Sequence, residues 1–407
     1  MKTMLGTKMK SIILRLCFIV FIIATIMQAA TIDAKKIDNL KNITPVSKEW
    51  MTAKVSQVYF YPQTTITLND KKANELNKDL KAKKVALRTL YDGKNIAFLL
   101  EWSDSTKSVQ KQNRTTSYAD GFAVEFVSGE INPFKLPYIG MGNEGRPVEI
   151  FLQKAYEKFY EPSGNGNIDL QVNRSNINAF NQKLAKFDRK VLNQAKSDYQ
   201  KVFIGEGFGL MSEIKQESIN IKAEMEYANG IWRATLVRSL KDSYTDLNVS
   251  SIAVAFAIWD GQKLQRDGIK LLSSWIAVDF DKKESDTLVK MLNSTTNGNI
   301  ENGKILVEKN CAVCHRYEGY KNAPLFMAPD LTNIGGYSNA AYLSESVIDP
   351  SAVIVPGYNK NAHKNFSWYT VDDKGKKVSV MPAFSDLGNK EILDIVTFLQ
   401  TLKSKAK

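Results

Sequence analysis

Cysteine and histidine are the residues that this chain has least of. Its 407 residues include three cysteines and two histidines. A zinc ribbon, a Cys₂His₂ finger or a ferredoxin-type [4Fe–4S] site needs more of these ligands than the chain can supply. The rest of the composition, 43% hydrophobic and 24% charged, is that of a globular protein and excludes a disordered chain or a polytopic membrane protein.

The motifs of nucleotide-binding and hydrolytic enzymes are also missing. The spacing Gly140-x-Gly142-x-x-Gly145 matches a dinucleotide fingerprint, but Pro137 before it and Pro147 after it leave no strand and no helix around it. No P-loop and no nucleophile elbow is present, and two histidines leave little room for a catalytic triad. We therefore expect no catalytic centre in this chain.

Residues 1–34 have the pattern of a secretory signal peptide. Lysines precede an apolar run from Leu16 to Met27, and small residues follow between Ala29 and Ala34. The run is shorter than the roughly 20 apolar residues of a membrane span, so we expect cleavage rather than a permanent anchor. Export, to a periplasm or the lumen of an internal compartment, argues against a nucleic-acid partner despite the net charge of +12.

The rest of the chain divides into two regions that differ in the pattern of their apolar residues. Residues 35–292 contain short apolar segments separated by tight-turn signals such as Asp92-Gly93, which predict a β-sandwich. Residues 180–202 look like a helical insertion. After a polar linker at 293–300, residues 301–407 begin and end with amphipathic helix patterns and predict a small all-α domain.

The most specific motif is Cys311-Ala312-Val313-Cys314-His315, a C-x-x-C-H attachment site for c-type haem. Two thiols one turn apart add to the two vinyl groups of the porphyrin, and the next residue presents its imidazole to the iron. The sixth ligand is predicted to be Met381, because Met381-Pro382 resembles the Met-Pro loop of small cytochromes c. His363 is the rival ligand, and Met327 is the nearest alternative methionine.

Several stretches of the first region resemble the γ subunits of type II molybdoenzymes of the dimethyl sulfoxide reductase family, the group that includes ethylbenzene dehydrogenase. They are Asp120 to Phe126, Met141-Gly142-Asn143 with Pro147 to Ile150, Gly207-Phe208-Gly209, Gly230 to Arg233, Ala255 to Gly261, and Ser274-Trp275. The resemblance implies a β-sandwich that holds a non-covalent haem b between a methionine and a lysine. A fused cytochrome c domain is not general in that family, and its presence here resembles the γ subunit of nitrite oxidoreductase of the anammox type.

The residue content of the chain limits which side chains can bind the iron of this second haem. With His315 used for haem c, one histidine remains, so a bis-histidine haem b is excluded and methionine, lysine or tyrosine must serve. Met141 lies in the glycine-flanked loop Ile139-Gly140-Met141-Gly142 and is the candidate supported by family position.

Two lysines compete for the other side of haem b. Lys270 stands in the apolar segment Ile269 to Leu272, where an ammonium group must find a partner or lose its proton. Lys222 is the fallback, although alternation along its strand groups it with solvent-facing residues. The sequence leaves open that neither lysine is the ligand.

Together these features predict a β-sandwich haem b domain followed by an all-α cytochrome c domain, with one haem of each kind. The resemblance implies an electron-transfer subunit that passes electrons from a molybdenum catalytic subunit and an iron–sulfur subunit to a soluble cytochrome. Nitrite oxidation is the reaction implied for the complex. Two alternatives stay open: a self-contained redox enzyme, and a sandwich that binds carbohydrate or a protein partner and carries haem c alone.

Overall fold

The computed structural model describes residues 31–109, 118–156, 199–215, 221–247, 249, 251–280 and 286–405. Strands dominate the first part and helices the last, which confirms the predicted fold class. Residues 1–30 of the predicted signal peptide and residues 180–198 of the predicted helical insertion lie outside the described residues.

The first part is built from strands. In chain order they are β1 (Thr31–Lys36), β2 (Ser56–Pro62), β3 (Lys83–Tyr91), β4 (Asn95–Ser103), β5 (Gly121–Val127), β6 (Val148–Lys154), β7 (Gln200–Gly205), β8 (Met211–Ile214), β9 (Ile221–Ala228), β10 (Ile231–Ser239), β11 (Ser251–Trp259), β12 (Leu271–Leu272) and β13 (Ile276–Asp279). One short helix, α1 (Lys71–Asn77), lies between β2 and β3.

The strands form two layers joined at their edges. One layer runs β8-β7-β6-β5-β11 and continues to β12 and β13; the other runs β9-β10-β4-β3-β2. The layers meet where β12 pairs with β2 and where β1 lies in parallel between β13 and β3. Alternation then sends Phe122, Val124 and Phe126 of β5 into the core between the layers.

The turn predicted at Asp92-Gly93 is present and joins β3 to β4. A similar Asn-Gly turn at Asn229-Gly230 joins β9 to β10. The predicted insertion differs at its end, because residues 200–202 belong to β7 and pair with β6 rather than form a helix. Between β12 and β13 the Ser273 N–H donates to the Phe256 carbonyl at 2.9 Å, but the Phe256 N–H donates to the Ser273 hydroxyl rather than to a backbone carbonyl, so the two strands are separate.

A buried ion pair crosses the sandwich core. The Arg238 guanidinium, from β10, donates to Glu149 of β6 at 2.7 Å and to Asp242 at 2.6 Å. It also lies over the rings of Phe126 and Phe151, at 4.8 and 4.9 Å from their centroids. The side chains of Arg238 and Glu149 are fully buried, so each charge depends on the other for stabilisation.

Helices dominate the C-terminal part. They are α2 (Thr287–Asn293), α3 (Ile300–Asn310), α4 (Ile334–Tyr337), α5 (Ala340–Ile348) and α6 (Asn389–Thr401), with a small hairpin of β14 (Tyr369–Val371) and β15 (Lys377–Ser379) before α6. The predicted linker begins at the last residue of α2 and ends at the first of α3. No helix among the described residues is long and apolar enough to cross a membrane.

The first and last helices of this part, α3 and α6, pack closely at a glycine. Gly303 is buried against α6, where a β-carbon would overlap the carbonyl oxygen of Asp394 and approach Phe398. The Asp394 carboxylate accepts from the Asn299 N–H at 2.6 Å and the Asn302 side chain at 2.8 Å, so it fixes the start of α3 against α6.

We expect Gly303→Ala to destabilise this helical region, although alanine is favoured over glycine in an exposed helix by about 1 kcal/mol. Overpacking at the helix crossing should cost about 1–3 kcal/mol, measured by thermal unfolding. The exposed neighbour offers the control: Lys304→Ala should change stability by less than about 0.5 kcal/mol. A Gly303→Ala variant as stable as the parent would contradict the tight crossing.

The two parts of the chain share an extensive contact. Arg146 forms two hydrogen bonds of 2.6 Å with Glu345 of α5, and the Glu144 N–H donates to the Ile354 carbonyl at 3.0 Å. Close approach is required elsewhere, since a β-carbon on Gly336 would overlap the Tyr61 ring. The loop that precedes β6 therefore lies directly against the helical region.

Candidate functional site

The Cys-x-x-Cys-His segment follows α3 as a single tight turn. The Cys311 N–H donates to the Val307 carbonyl at 2.8 Å, and the N–H groups of Cys314 and His315 donate to the Cys311 carbonyl at 3.1 and 2.9 Å. Cys311 is buried and Cys314 half-buried. This turn presents two thiols and an imidazole from one short stretch of backbone, as covalent haem attachment requires.

A backbone carbonyl sets the tautomer of His315. Its Nδ1 lies 2.8 Å from the Pro329 carbonyl oxygen, which can only accept, so Nδ1 carries the hydrogen. Nε2 is left with its lone pair, the arrangement found in metal-binding histidines. Burial lowers the pKa of His315 and favours the neutral ring that a metal ion needs.

Met381 lies in the loop between β15 and α6. The N–H of Val380 donates to the Trp368 carbonyl at 3.2 Å, and that of Phe384 donates to the Val347 carbonyl at 3.1 Å, which fixes the loop on both sides. The rival His363 is half-buried, and its Nδ1 accepts from the Asn365 N–H at 3.2 Å.

We expect Met381→Ala to lower the midpoint potential of the C-terminal haem, because a methionine–histidine pair raises the potential. The shift should be a sizeable part of the about 0.8 V range that axial ligands span. Spectroelectrochemical titration measures it, with Met327→Ala and His363→Ala as matched controls that should leave the potential unchanged. A shift in the His363 variant alone would assign that ligand instead.

A second candidate site is a cavity on the outer face of the β5–β11 layer. Its volume is about 270 Å³, near the lower end of the roughly 300–1,000 Å³ of typical cofactor clefts, and it is open to solvent on one side. Alternation places Ala123 of β5 with Ala255 and Ala257 of β11 on this face. These small side chains leave a broad apolar floor.

Met141 lines the cavity in a strained backbone conformation. Its φ of 81° lies in the left-handed region, which a methionine rarely occupies. The carbonyl of Met141 accepts from the Gly207 N–H at 2.9 Å, and the N–H of the next residue, Gly142, donates to the Tyr138 carbonyl at 2.9 Å. Strain held in place on both sides of the peptide is typical of functional positions.

Lys270 lines the same cavity. It is 4% exposed, and its ammonium nitrogen lies 5.5 Å from the centroid of the Trp259 ring. Burial lowers the pKa of Lys270, while the charge of Glu125 opposes that shift. The structure thus brings together Met141 and Lys270, a thioether and an amine that burial biases towards its neutral form.

Lys222 lies elsewhere. It is on β9 in the other layer, where its ammonium group lies 3.4 Å from the Ile43 carbonyl and 3.1 Å from Glu224. Its side chain is 44% exposed, and it is not among the residues that line the cavity. The geometry therefore favours Lys270 as the second ligand candidate.

Glu125 is a further residue of the cavity that the sequence did not single out as a functional candidate. It faces the cavity from β5, and burial raises the pKa of its carboxyl group while Lys270 opposes the shift. Its Oε1 is buried without a hydrogen-bond partner among the described residues. The sequence does contain a sign of this role, because Glu125 is a charged residue within the otherwise apolar strand Gly121–Val127. The same kind of pattern, a charge among apolar residues, identified Lys270.

Two basic residues also line the cavity. Arg266 is paired with Asp70 at 2.7 Å, and burial lowers the pKa of Lys154. The indole nitrogen of Trp259 is buried and has no hydrogen-bond partner within the described part of the chain. The apolar floor is suited to a porphyrin face, and the thioether of Met141 and the amine of Lys270 are a pair of ligands consistent with haem b.

Two family models match the chain. The ethylbenzene dehydrogenase model matches residues 41–271, and the cytochrome c model matches residues 300–403. The second match confirms the predicted C-terminal cytochrome c region. No curated protein matches the chain.

Solved structures show distant likeness. One, a protein from Bacteroides uniformis described as carbohydrate-binding, is 11% identical with a TM-score of 0.31, covering 62% of this chain and 99% of its own. A family 9 carbohydrate-binding module from Caldicellulosiruptor kristjanssonii, in complex with cellotriose, is 7% identical with a TM-score of 0.30, covering 63% and 96%. These scores support no inference about fold or ligand.

Proposed function

Because the chain belongs to the ethylbenzene dehydrogenase family over more than half of its length and ends in a cytochrome c region, we propose that it is an exported dihaem electron-transfer subunit. Its complex would contain a molybdenum catalytic subunit and an iron–sulfur subunit, with nitrite oxidoreductase as the specific candidate. The observation that carries the proposal is the meeting of Met141 and Lys270 in one cavity. The loop that carries Met141 also contacts the cytochrome region, through Glu144 and Ile354.

The residues divide the work between two sites. Cys311 and Cys314 would tether haem c, and His315 with Met381 would bind its iron. Met141 and Lys270 would bind haem b, and the apolar floor would exclude water from it. Bound haem supplies one-electron chemistry at each site, and the ligands and burial set each potential.

A continuous series of bonds links the two sites. Tyr138, three residues before Met141, has its hydroxyl 2.6 Å from that of Thr65. Thr64, the residue before Thr65, donates its hydroxyl to the Asp330 carbonyl at 2.9 Å. The carbonyl of Pro329, next to Asp330, accepts from His315. This route would couple the two haems, and the proposed order of transfer is haem b, haem c, then a soluble cytochrome.

Purification of the native complex tests the proposal. We expect one extractable haem b and one covalent haem c per chain, co-purifying molybdenum and iron–sulfur subunits, and reduction of both haems by nitrite. A complex that reduces its haems with another substrate would keep the subunit role and reject nitrite. Haem c alone, with no molybdenum partner, would reject the relay and favour a binding module.

The proposed export also sets a limit on processing. β1 begins at Thr31, and its residues Thr31 to Asp33 pair with Ala277 to Asp279. Cleavage after Ala34 would remove those pairs, so we expect the mature protein to begin at or before Thr31. N-terminal sequencing of the exported protein measures this; a start at Lys35 would contradict the role of β1.

A further inference from the structure

Three aspartates converge at one end of the sandwich, outside the residues assigned to either haem. Asp104 follows β4, Asp120 precedes β5 and Asp260 follows β11. Each offers a carboxylate oxygen, and these three oxygens lie within 4.8 Å of one another. All three residues are buried, so water does not screen their mutual repulsion well.

Asp104 provides an independent sign that a partner belongs here. It is 5% exposed, and its Oδ1 accepts from the N–H and hydroxyl of Thr106 at 3.1 and 3.2 Å. Its Oδ2 is buried and has no hydrogen-bond partner within the residues that the structure describes. A buried carboxylate oxygen is normally satisfied by a hydrogen-bond donor, by a proton or by a bound cation.

The other two carboxylates are fixed in place by donors. Asp120 accepts from the Gly261 N–H at 2.8 Å and from the Trp232 indole at 3.0 Å. Asp260 accepts from the Gln262 N–H at 3.0 Å. Such neutral donors orient the oxygens but do not cancel their charge.

Positive charge near the cluster is sparse. The Lys263 ammonium lies 3.9 Å from the Asp260 carboxylate, and its side chain is 43% exposed. Lys83 donates to the Ser103 carbonyl at 3.0 Å, and its charge acts to lower the pKa of Asp260. Burial, with a smaller contribution from the charges of Asp104 and Asp260, raises the pKa of Asp120 to about 6. The cluster therefore retains uncompensated negative charge.

We propose that Asp104, Asp120 and Asp260 bind a calcium ion. An all-oxygen donor set without histidine or cysteine selects a hard cation rather than zinc. Ca²⁺ accepts irregular ligand geometry, which suits carboxylates already oriented by backbone donors, whereas Mg²⁺ demands a near-ideal octahedron. Asp120 and Asp260 adjoin Gly121 and Trp259 of the cavity, so the ion would fix the strand ends that flank it.

Calcium addition to the purified full-length chain tests the site. After dialysis against a chelator, we expect CaCl₂ to raise the thermal midpoint in a saturable way and metal analysis to find one Ca²⁺ per chain. MgCl₂ at the same concentration should give a smaller rise. Asp104→Asn should weaken calcium binding at least tenfold and remove the rise.

The sign of the variant's effect separates a calcium site from a merely structural role. In chelator, Asp104→Asn should be at least as stable as the parent, because one of three repelling charges is gone. The exposed Asp38→Asn is the matched control and should behave like the parent. The proposal is overturned if calcium neither binds nor stabilises, if magnesium acts equally, or if Asp104→Asn binds calcium as the parent does.

Discussion

Lys270→Ala should remove haem b from the full-length chain and leave the covalent haem in place. Loss of a group that merely supports a metal ligand already costs about 10–100-fold in affinity, and loss of the ligand itself should cost at least as much. We therefore expect the ratio of haem b to haem c, measured by acid–acetone extraction and pyridine haemochrome spectra, to fall at least tenfold.

Two further variants make this result specific. Lys222→Ala removes the same side chain from the other layer, where it contacts Glu224, and should retain haem b in full. Lys270→Met supplies a different ligand from the same strand end and should keep haem b with an altered spectrum. Normal haem b content and spectrum in Lys270→Ala would exclude Lys270 as a ligand.

Arg238→Ala should destabilise the sandwich by about 3–5 kcal/mol, because it leaves Glu149 buried without its cation. Urea or thermal unfolding measures the change. Arg233→Ala on the same strand is the matched control: its guanidinium pairs with Glu101 but is 35% exposed, so the cost should stay below about 1 kcal/mol.

The loss should also depend on pH. Burial raises the pKa of Glu149 to about 7, with Arg238 opposing the shift, and removal of Arg238 will raise it further. A carboxyl group with a raised folded-state pKa holds its proton in the folded protein at pH values where the unfolded chain has released it. The free energy of unfolding therefore falls as pH rises from the unfolded-state pKa to the folded-state pKa. The deficit of Arg238→Ala should therefore be larger at pH 8 than at pH 5, and an equal deficit would point to lost packing alone.

Local signals in the sequence were sufficient for much of the fold. The turns at Asp92-Gly93 and Asn229-Gly230 and the apolar period of α6 specify their elements within a few residues. The parallel placement of β1 between β13 and β3 could not be predicted, because its partners are distant in sequence and no local pattern marks them.

The candidate sites divide in the same way. Cys311, Cys314 and His315 form a motif that needs no tertiary information. Met141 and Lys270 each carry a local sign, a glycine-flanked loop and a charge among apolar residues, but only the folded chain places them in one cavity. The placement of Glu125 beside Lys270 in the cavity and the convergence of Asp104 with Asp120 and Asp260 depend on the packing of separate strands, which periodicity does not report.

The contact between Arg146 and Glu345 has a consequence for dissecting this protein. The loop that carries Met141 is covered on one side by its own sandwich and on the other by Glu345 and Ile354. A chain cut in the linker would expose that loop to solvent and free its strained backbone to relax. The two fragments would then differ: the cytochrome fragment would keep its covalently attached haem, whereas the sandwich fragment would bind its non-covalent haem more weakly. Neither fragment would therefore reproduce the properties of the full-length chain.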